Sequence, residues 1–147
     1  MEFQNIIVPV NGSAVDEETV KLACRMAKPD KARLYAVHII PIDRTLPLDA
    51  EVESEVQKGE AILDHAENVA KTNGYSMDTD LLQAREPGPA IVDLTKERGA
   101  DLIIIGIDYK TRFGQFDLGN VVPFILKNAP CRVILYHQYI GDQGKAG

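Results

Sequence analysis

Two short apolar runs of strand length, neither of which alternates with polar residues, most constrain how this chain can fold. They occupy residues 6–10 and 102–105. A strand with one exposed face alternates apolar and polar side chains, whereas a strand buried on both faces does not. Strands of the second kind occur in parallel sheets that carry helices on both faces, so the sequence predicts an α/β fold.

The rest of the chain alternates further strands with amphipathic helices. Ser13 and Asp16 have the spacing of a capping box, which predicts that a helix starts there. No internal repeat or long linker divides the chain, and we expect one open five-stranded parallel sheet with right-handed crossovers. The predicted strands are 6–10, 32–40, a half-buried strand around Met77, Thr79 and Leu81, 101–106 and 132–136. The predicted helices run from Ser13 to before Pro29, along the face of Val52, Val56, Leu63, Ala66 and Ala70, from Pro87 to Gly99, and over about 120–128.

Composition and charge exclude several classes of partner. The chain has 147 residues, of which 45% are hydrophobic and 26% are charged, as in an ordinary single globular domain. A net charge of −6 opposes binding to nucleic acid or to an anionic membrane. The longest apolar run is far shorter than the roughly 18 residues that a membrane span needs, and no basic segment precedes the first strand. We therefore expect a cytoplasmic protein without nucleic-acid or membrane partners.

The loop over residues 106–120 is the candidate ligand site. Ligands of open α/β sheets bind beyond the carboxyl ends of the strands, where the strand order reverses. This loop leaves a strand at a glycine, and Gly119 and Asn120 then open a helix, whose free N–H groups and dipole suit a phosphate. Lys110 and Arg112 can add positive charge, although two aspartates of the same loop oppose them. Glycine and asparagine also start many helices that bind nothing.

Over roughly residues 3–137 the chain resembles the universal stress protein family. The segments that carry the resemblance are 7–13, 100–106, 119–121 and 128–133. The resemblance implies an adenine-nucleotide-alpha-hydrolase-like fold with strand order 3-2-1-4-5. It also implies a domain over residues 1–137 and a role in the stress response. Residues 138–147 are polar and glycine-rich, which predicts a C-terminal tail.

The family contains members that bind ATP and members that do not. The binding members share a marker of three glycines. Two residues separate the first glycine from the second, nine residues separate the second from the third, and serine or threonine follows the third. Gly106 and Gly119 match this marker, whereas Tyr109 replaces its second glycine and Asn120 replaces the hydroxyl residue. A tyrosine obstructs close approach of the backbone to a phosphate, and its ring would either fill the groove for the triphosphate or stack on a base. Asn11 replaces an aspartate that faces adenine, but its amide can both accept and donate hydrogen bonds.

The resemblance implies two alternative functions. One is weak or altered binding of ATP, AMP or another adenine nucleotide, with Mg²⁺ only if a nucleotide binds. The other is a nucleotide-free homodimer that acts through protein–protein interaction. We expect no catalytic residue and no metal site in either case. The candidate nucleotide-binding residues are Pro9, Val10, Asn11, Ile39, Gly106, Tyr109, Gly119, Asn120 and Val121, and the candidate phosphate contacts are Arg85, Lys110 and Arg112.

Other chemistries find less support in the sequence. The chain has no P-loop, no dinucleotide-binding glycine motif and no acidic cluster of a phospho-acceptor domain. His38, His65 and His137 lie far apart, and we expect them to be structural or exposed.

The sequence of the last predicted strand indicates that it pairs with another chain. It is uncharged at its centre, and an uncovered edge of this kind invites pairing. In similar family members it pairs with its twin across a two-fold axis, which implies a homodimer here. The alternative is that the polar tail covers this edge. The candidate dimer strand is Arg132, Val133, Ile134, Leu135, Tyr136 and His137.

Overall fold

The computed structural model describes residues 2–107 and 120–137. These residues form five strands, four α-helices and a short 3₁₀ helix, in the predicted order of strands and helices. The strands are β1 (Asn5–Pro9), β2 (Arg33–Pro41), β3 (Met77–Ala84), β4 (Leu102–Ile107) and β5 (Arg132–His137). The helices are α1 (Asp16–Ala27), α2 (Glu53–Thr72), α3 (Pro87–Arg98) and α4 (Val121–Asn128), and the 3₁₀ helix is Lys28–Asp30.

The five strands form one parallel sheet in the order β3-β2-β1-β4-β5. The predicted fold class and strand order are therefore confirmed. From β1 the chain first adds β2 and β3 on one side and then crosses to add β4 and β5 on the other. The direction of winding reverses between β1 and β4, which places the crevice of a doubly wound sheet at their carboxyl ends.

Each face of the sheet carries a separate apolar core. One core joins the sheet to α1 and α2 and includes Ile6, Val8, Val20, Leu34, Leu63 and Ile104. The other joins it to α3 and α4 and includes Ile7, Tyr35, Ile91, Leu94, Ile103 and Ile125. Neighbouring residues of β1 thus enter opposite cores, which explains why its apolar run shows no polar alternation.

The start of α1 differs from the predicted capping box. The N-cap residue is Val15, and no side chain bonds to a free N–H of the first helical turn. Ser13 instead donates its hydroxyl to Oδ1 of Asp16 at 3.4 Å. Oδ2 of Asp16 accepts the backbone N–H groups of Asn11 at 3.2 Å and Gly12 at 2.8 Å. The side chain that organises this turn therefore reaches backwards from the helix into the loop that follows β1.

The predicted apolar face of α2 is only partly correct. Val52 precedes the helix and is 37% exposed, and the first buried residue of the helix is Gly59. A Cβ at Gly59 would lie 2.7 Å from Leu81 and 2.9 Å from His38, so a glycine is needed for α2 to approach the sheet this closely. The preceding turns lie beside the cavity described below rather than over the sheet.

The strand β3 is less buried than its alternation predicted. Met77 is buried and Leu81 is half-buried, but Thr79 is exposed, because β3 is an edge strand that pairs only with β2 in the described sheet. Within the described residues, no helix is long and apolar enough to cross a membrane.

Candidate functional site

A cavity of about 500 Å³ lies at the carboxyl ends of β1, β2 and β4, where the strand order reverses. Two helices that begin here, α3 and α4, contribute residues of their first turns, and α2 contributes two charged side chains. The lining residues are Pro9, Val10, Asn11, Asp16, Val37, His38, Ile39, Pro41, Glu55, Lys58, Pro87, Ile91, Ile105, Gly106, Ile107, Val121 and Val122.

The walls of the cavity are largely apolar. They consist mainly of aliphatic side chains and prolines from the strand ends and from the helices that flank the cavity. Several of these side chains belong to the core beneath α3 and α4, so the packing of the fold itself fixes their positions. Walls of this kind suit a flat apolar ring, while polar groups at the margin set its orientation. The buried aliphatic residues of the walls are Val10, Val37, Ile39, Ile91, Ile105 and Val122.

Asp16 is the buried charged residue of the lining, with 8% of its surface exposed. Burial raises the pKa of its carboxyl group, although the N–H groups of Gly12 and Asn11 and the hydroxyl of Ser13 lower it in part. His38 lowers it further through its charge. Because the carboxylate already accepts the N–H groups of the loop, these N–H groups are not available to bind an anion.

His38 extends from β2 into the lining of the cavity. Its Nδ1 lies 2.9 Å from the carbonyl oxygen of Val10. A carbonyl oxygen only accepts, so Nδ1 carries the proton and donates it. This hydrogen bond fixes the imidazole across the ends of β1 and β2.

Gly106 has a structural role that is independent of any ligand. A Cβ at this position would lie 2.2 Å from Oγ1 of Thr19 and 3.0 Å from Cγ1 of Val15. Gly106 therefore lets the end of β4 pack directly against the start of α1. This close packing accounts for a glycine at the end of the strand even without a bound phosphate.

Comparison with known proteins decides the family. The model of the universal stress protein family matches residues 2–137. The chain belongs to this family. A universal stress protein of Methanocaldococcus jannaschii is 30% identical over 139 residues, which cover 90% of this chain and 81% of that protein.

Solved structures of universal stress proteins share the fold. One from Archaeoglobus fulgidus superimposes with a TM-score of 0.77 at 24% identity, covering 91% of this chain and 98% of the other. A second structure from Archaeoglobus fulgidus, solved in complex with dAMP, has a TM-score of 0.73 at 26% identity and covers 92% and 98% of the two chains.

Six of the nucleotide-binding residues predicted for this universal stress protein come together in the cavity. They are Pro9, Val10, Asn11, Ile39, Gly106 and Val121. Asn120 is the N-cap residue of α4, but it does not line the cavity and its side chain makes no capping hydrogen bond. Four further candidates, Tyr109, Lys110, Arg112 and Gly119, lie outside the described residues.

Arg85, a predicted phosphate contact, lies elsewhere. Its guanidinium group donates to the backbone carbonyl oxygens of Ile42 and Asp43, and it does not line the cavity at the strand ends. It borders a second, open cavity of about 510 Å³ beside β3 and α3, together with Arg44 and Glu97. The arginine thus fastens the segment after β2 to the end of β3.

Sequence analysis missed four polar residues of the site. Asp16, His38, Glu55 and Lys58 all line the cavity. The signal for His38 was its place near the carboxyl end of a predicted strand that borders the switch point. Glu55 and Lys58 had no such signal, because they reach the cavity only through the position of α2 relative to β2. Among the described residues, no group of three or more histidine, cysteine or acidic side chains is arranged to hold a metal ion.

Proposed function

We propose that this universal stress protein binds an adenine nucleotide, weakly or in an altered manner, and acts in the cytoplasmic stress response without catalysis. The observation that carries this proposal is the cavity of about 500 Å³ at the switch point of the sheet. Its size falls within the range of about 300–1,000 Å³ that is usual for small-molecule sites. The dAMP complex of the relative from Archaeoglobus fulgidus supports the choice of an adenine nucleotide.

The parts of the cavity suit different parts of a nucleotide. The aliphatic side chains of Val10, Ile39 and Ile105 suit the faces of a base. The first turn of α4, which begins at Val121, presents N–H groups and the positive end of its dipole to a phosphate. In the sequence, Gly119 and the cations Lys110 and Arg112 precede this helix, and the proposal assigns them to the same phosphate end. Mg²⁺ takes part only through the phosphates of a bound nucleotide.

Calorimetric titration with AMP and ATP, with and without Mg²⁺, tests the proposal. We expect saturable heat with the wild-type protein. Val121→Trp places a large ring in the cavity lining and should abolish this heat. Lys127→Trp is the matched control, because Lys127 lies on the same helix but is exposed and does not line the cavity, and it should bind normally. The absence of heat from the wild-type protein at millimolar nucleotide would contradict the proposal.

The two departures from the family's glycine marker allow a second test. Tyr109→Gly combined with Asn120→Ser restores the marker and removes a side chain that we expect to obstruct close approach of the backbone to a phosphate. We expect this variant to bind ATP more tightly than the wild-type protein. An unchanged titration would show that the obstruction is not the reason for weak binding.

The proposal includes a homodimer formed through β5. In the described sheet, β5 pairs with β4 and forms one edge of the sheet. Leu135 is 37% exposed on this strand, and Leu126 is 52% exposed on the helix that precedes it. An edge strand and two exposed leucines in the same part of the chain support pairing with a second copy.

The second candidate function is a nucleotide-free homodimer that acts through an unidentified protein partner. The observation that favours it is a group of exposed apolar side chains in the segment between β2 and α2. Leu46 is 39%, Leu48 is 51% and Val52 is 37% exposed. A protein that gives no heat with nucleotides, yet forms dimers, would favour this alternative.

A further inference from the structure

The side-chain oxygen of Asn11 is already engaged in a hydrogen bond. The backbone N–H of Ser13 donates to Oδ1 of Asn11 at 3.0 Å. Because a backbone N–H can only donate, this bond identifies the oxygen of the amide and fixes the orientation of the group. Asn11 is exposed and lines the cavity, so a ligand can reach its side chain.

The amide nitrogen of Asn11 keeps two N–H donors. No hydrogen bond within residues 2–107 and 120–137 uses them. Two acceptors next to Asn11, in contrast, are already engaged. The carboxylate of Asp16 accepts the N–H groups of Asn11 and Gly12, and the carbonyl oxygen of Val10 accepts from His38. The amide nitrogen of Asn11 is therefore a hydrogen-bond donor that the cavity lining offers to a ligand.

The base, rather than a phosphate, suits the part of the cavity beside Asn11. The buried carboxylate of Asp16 accepts both backbone N–H groups of this loop, and its negative charge opposes a phosphate there. Val10 and Ile39 supply apolar surface at the same strand ends, which suits the face of a ring. Asn11 lines the same cavity as these side chains, so its amide nitrogen is within reach of the polar edge of a purine bound against them.

We propose that Asn11 reads a purine by donating a hydrogen bond to an acceptor of its six-membered ring, so that the 6-amino group is not required. This inference rests on the proposed function and names its ligand class. The class comprises purine 5′-nucleotides that present an acceptor at this edge, either N1 as in AMP or the 6-oxygen as in IMP. An acid at this position could only accept, and it would depend on the amino group.

Three nucleotides that differ only at this edge test the inference. They are AMP, IMP and purine riboside 5′-monophosphate, which keeps N1 but has no 6-substituent. Calorimetry with the wild-type protein should give Kd values within about threefold of one another, because the donor finds an acceptor in each. If AMP binds about tenfold or more tightly than purine riboside 5′-monophosphate, the inference is wrong.

The variant Asn11→Asp reverses the hydrogen-bonding character of the side chain. Its carboxylate can still accept from Ser13, so the turn is kept. The carboxylate can accept from the 6-amino group of AMP but faces the lone pair of N1 in purine riboside 5′-monophosphate. The variant should therefore favour AMP by about tenfold, the usual effect of an unsatisfied polar group. An unchanged ratio would show that Asn11 does not read the ring.

Two controls separate the possible failures. Asn11→Ala removes the donor and should weaken all three nucleotides by a similar factor, and a change in their ratio would contradict the inference. Circular dichroism and urea unfolding check that each variant is folded. If a variant does not fold, the comparison of the three nucleotides on the wild-type protein still tests the inference. If no nucleotide binds the wild-type protein, the proposed function fails as well, whereas a strong preference for AMP overturns the inference alone.

Discussion

Asp16 places a carboxyl group in a buried position beside the cavity. Its carboxylate accepts two backbone N–H groups and a hydroxyl, yet desolvation outweighs these contacts and raises its pKa. The group thus holds the loop after β1 in place while its ionised form is disfavoured by burial. This conflict has a measurable consequence for stability.

We predict that Asp16→Asn changes how the free energy of unfolding depends on pH. Because the pKa of Asp16 is raised in the folded protein, the folded state holds this proton to a higher pH than the unfolded state does. The contribution of Asp16 to stability therefore falls as pH rises from about 3.9, the ordinary pKa of aspartic acid, through the folded pKa. The asparagine of the variant does not titrate, so the variant does not lose stability in this way. The free energy of unfolding of the variant minus that of the wild type should therefore rise between about pH 3.9 and the folded pKa, and then level off.

Urea unfolding of both proteins at a series of pH values measures this difference directly. Titrating groups that do not interact with Asp16 cancel in the comparison of the two proteins. A stability difference that stays constant with pH, or that falls as pH rises, would contradict the assignment of a raised pKa to Asp16.

Gly106 provides a second prediction for a single residue. Gly106→Ala brings a Cβ to 2.2 Å from Oγ1 of Thr19, so either the side chain of Thr19 must rotate or β4 and α1 must move apart. We expect a loss of about 1–3 kcal/mol in the free energy of unfolding, as for other overpacked cores. Thr19→Ala removes the clashing oxygen, and the double variant should lose at least about 0.5 kcal/mol less than the sum of the single variants. Strict additivity would show that the contact with Thr19 is not the cause.

For the strands and helices, the sequence predicted type and order well and burial less well. The central strands β1 and β4 were predictable because burial on both faces leaves an apolar run without alternation. The end of α3 was also predictable, since Gly99 adopts a left-handed conformation at the helix terminus. The predicted strand and helix boundaries differ by one residue at several ends, as at β2 and β4, because terminal hydrogen bonds depend on the neighbouring strand.

The residues of the candidate site were predictable where they follow directly after a predicted strand, and not where they depend on how a helix packs. Asn11 and Ile39 follow from the rule that ligands bind at the carboxyl ends of strands. The contribution of Lys58 could not be predicted, because it depends on how α2 lies against the sheet. The exposure of Val52 has the same origin, since helical periodicity does not reveal that the packed part of α2 begins at Gly59.

Tyr75 supports a prediction about how the secondary-structure elements are held together. Its hydroxyl donates to the carbonyl oxygens of Ala32 and Ala27, which joins the segment before β3 to the end of α1 and the start of β2. Tyr75→Phe should lower the free energy of unfolding by about 1 kcal/mol. Tyr35→Phe is the control, because the hydroxyl of Tyr35 lies 3.5 Å from Oδ1 of Asn5, at the limit of a hydrogen bond, and it should cost less.

Urea unfolding monitored by circular dichroism distinguishes these two variants. Equal losses would show that the hydroxyl of Tyr75 contributes no more than that of Tyr35. The joint between α1, β2 and β3 would then depend on apolar packing alone.

At the scale of the whole molecule, the proposed dimer makes a prediction about assembly. Sedimentation velocity over a range of concentrations should show a dimer for the wild-type protein. Leu135→Glu places a charge on the proposed interface strand and should yield a folded monomer. Leu48→Glu is the matched control, because Leu48 is 51% exposed but belongs to the segment after β2, and this variant should remain a dimer. A wild-type protein that is monomeric at every concentration would contradict the dimer.

The proposed nucleotide site lies where the strand order of the sheet reverses. The same change of direction that separates β1 from β4 creates the cavity, and Gly106 brings α1 close enough to supply Asp16 to its lining. A nucleotide bound here would contact residues of both halves of the sheet.

The most direct measurement is a series of ¹H–¹⁵N correlation NMR spectra recorded while AMP is added to the wild-type protein. The account predicts saturable shifts in the backbone signals of Val10, Asn11, Ile39 and Ile105, with little change at Arg44 and Glu97 beside the second cavity. Spectra that stay unchanged at millimolar AMP, or shifts confined to the second cavity, would contradict it.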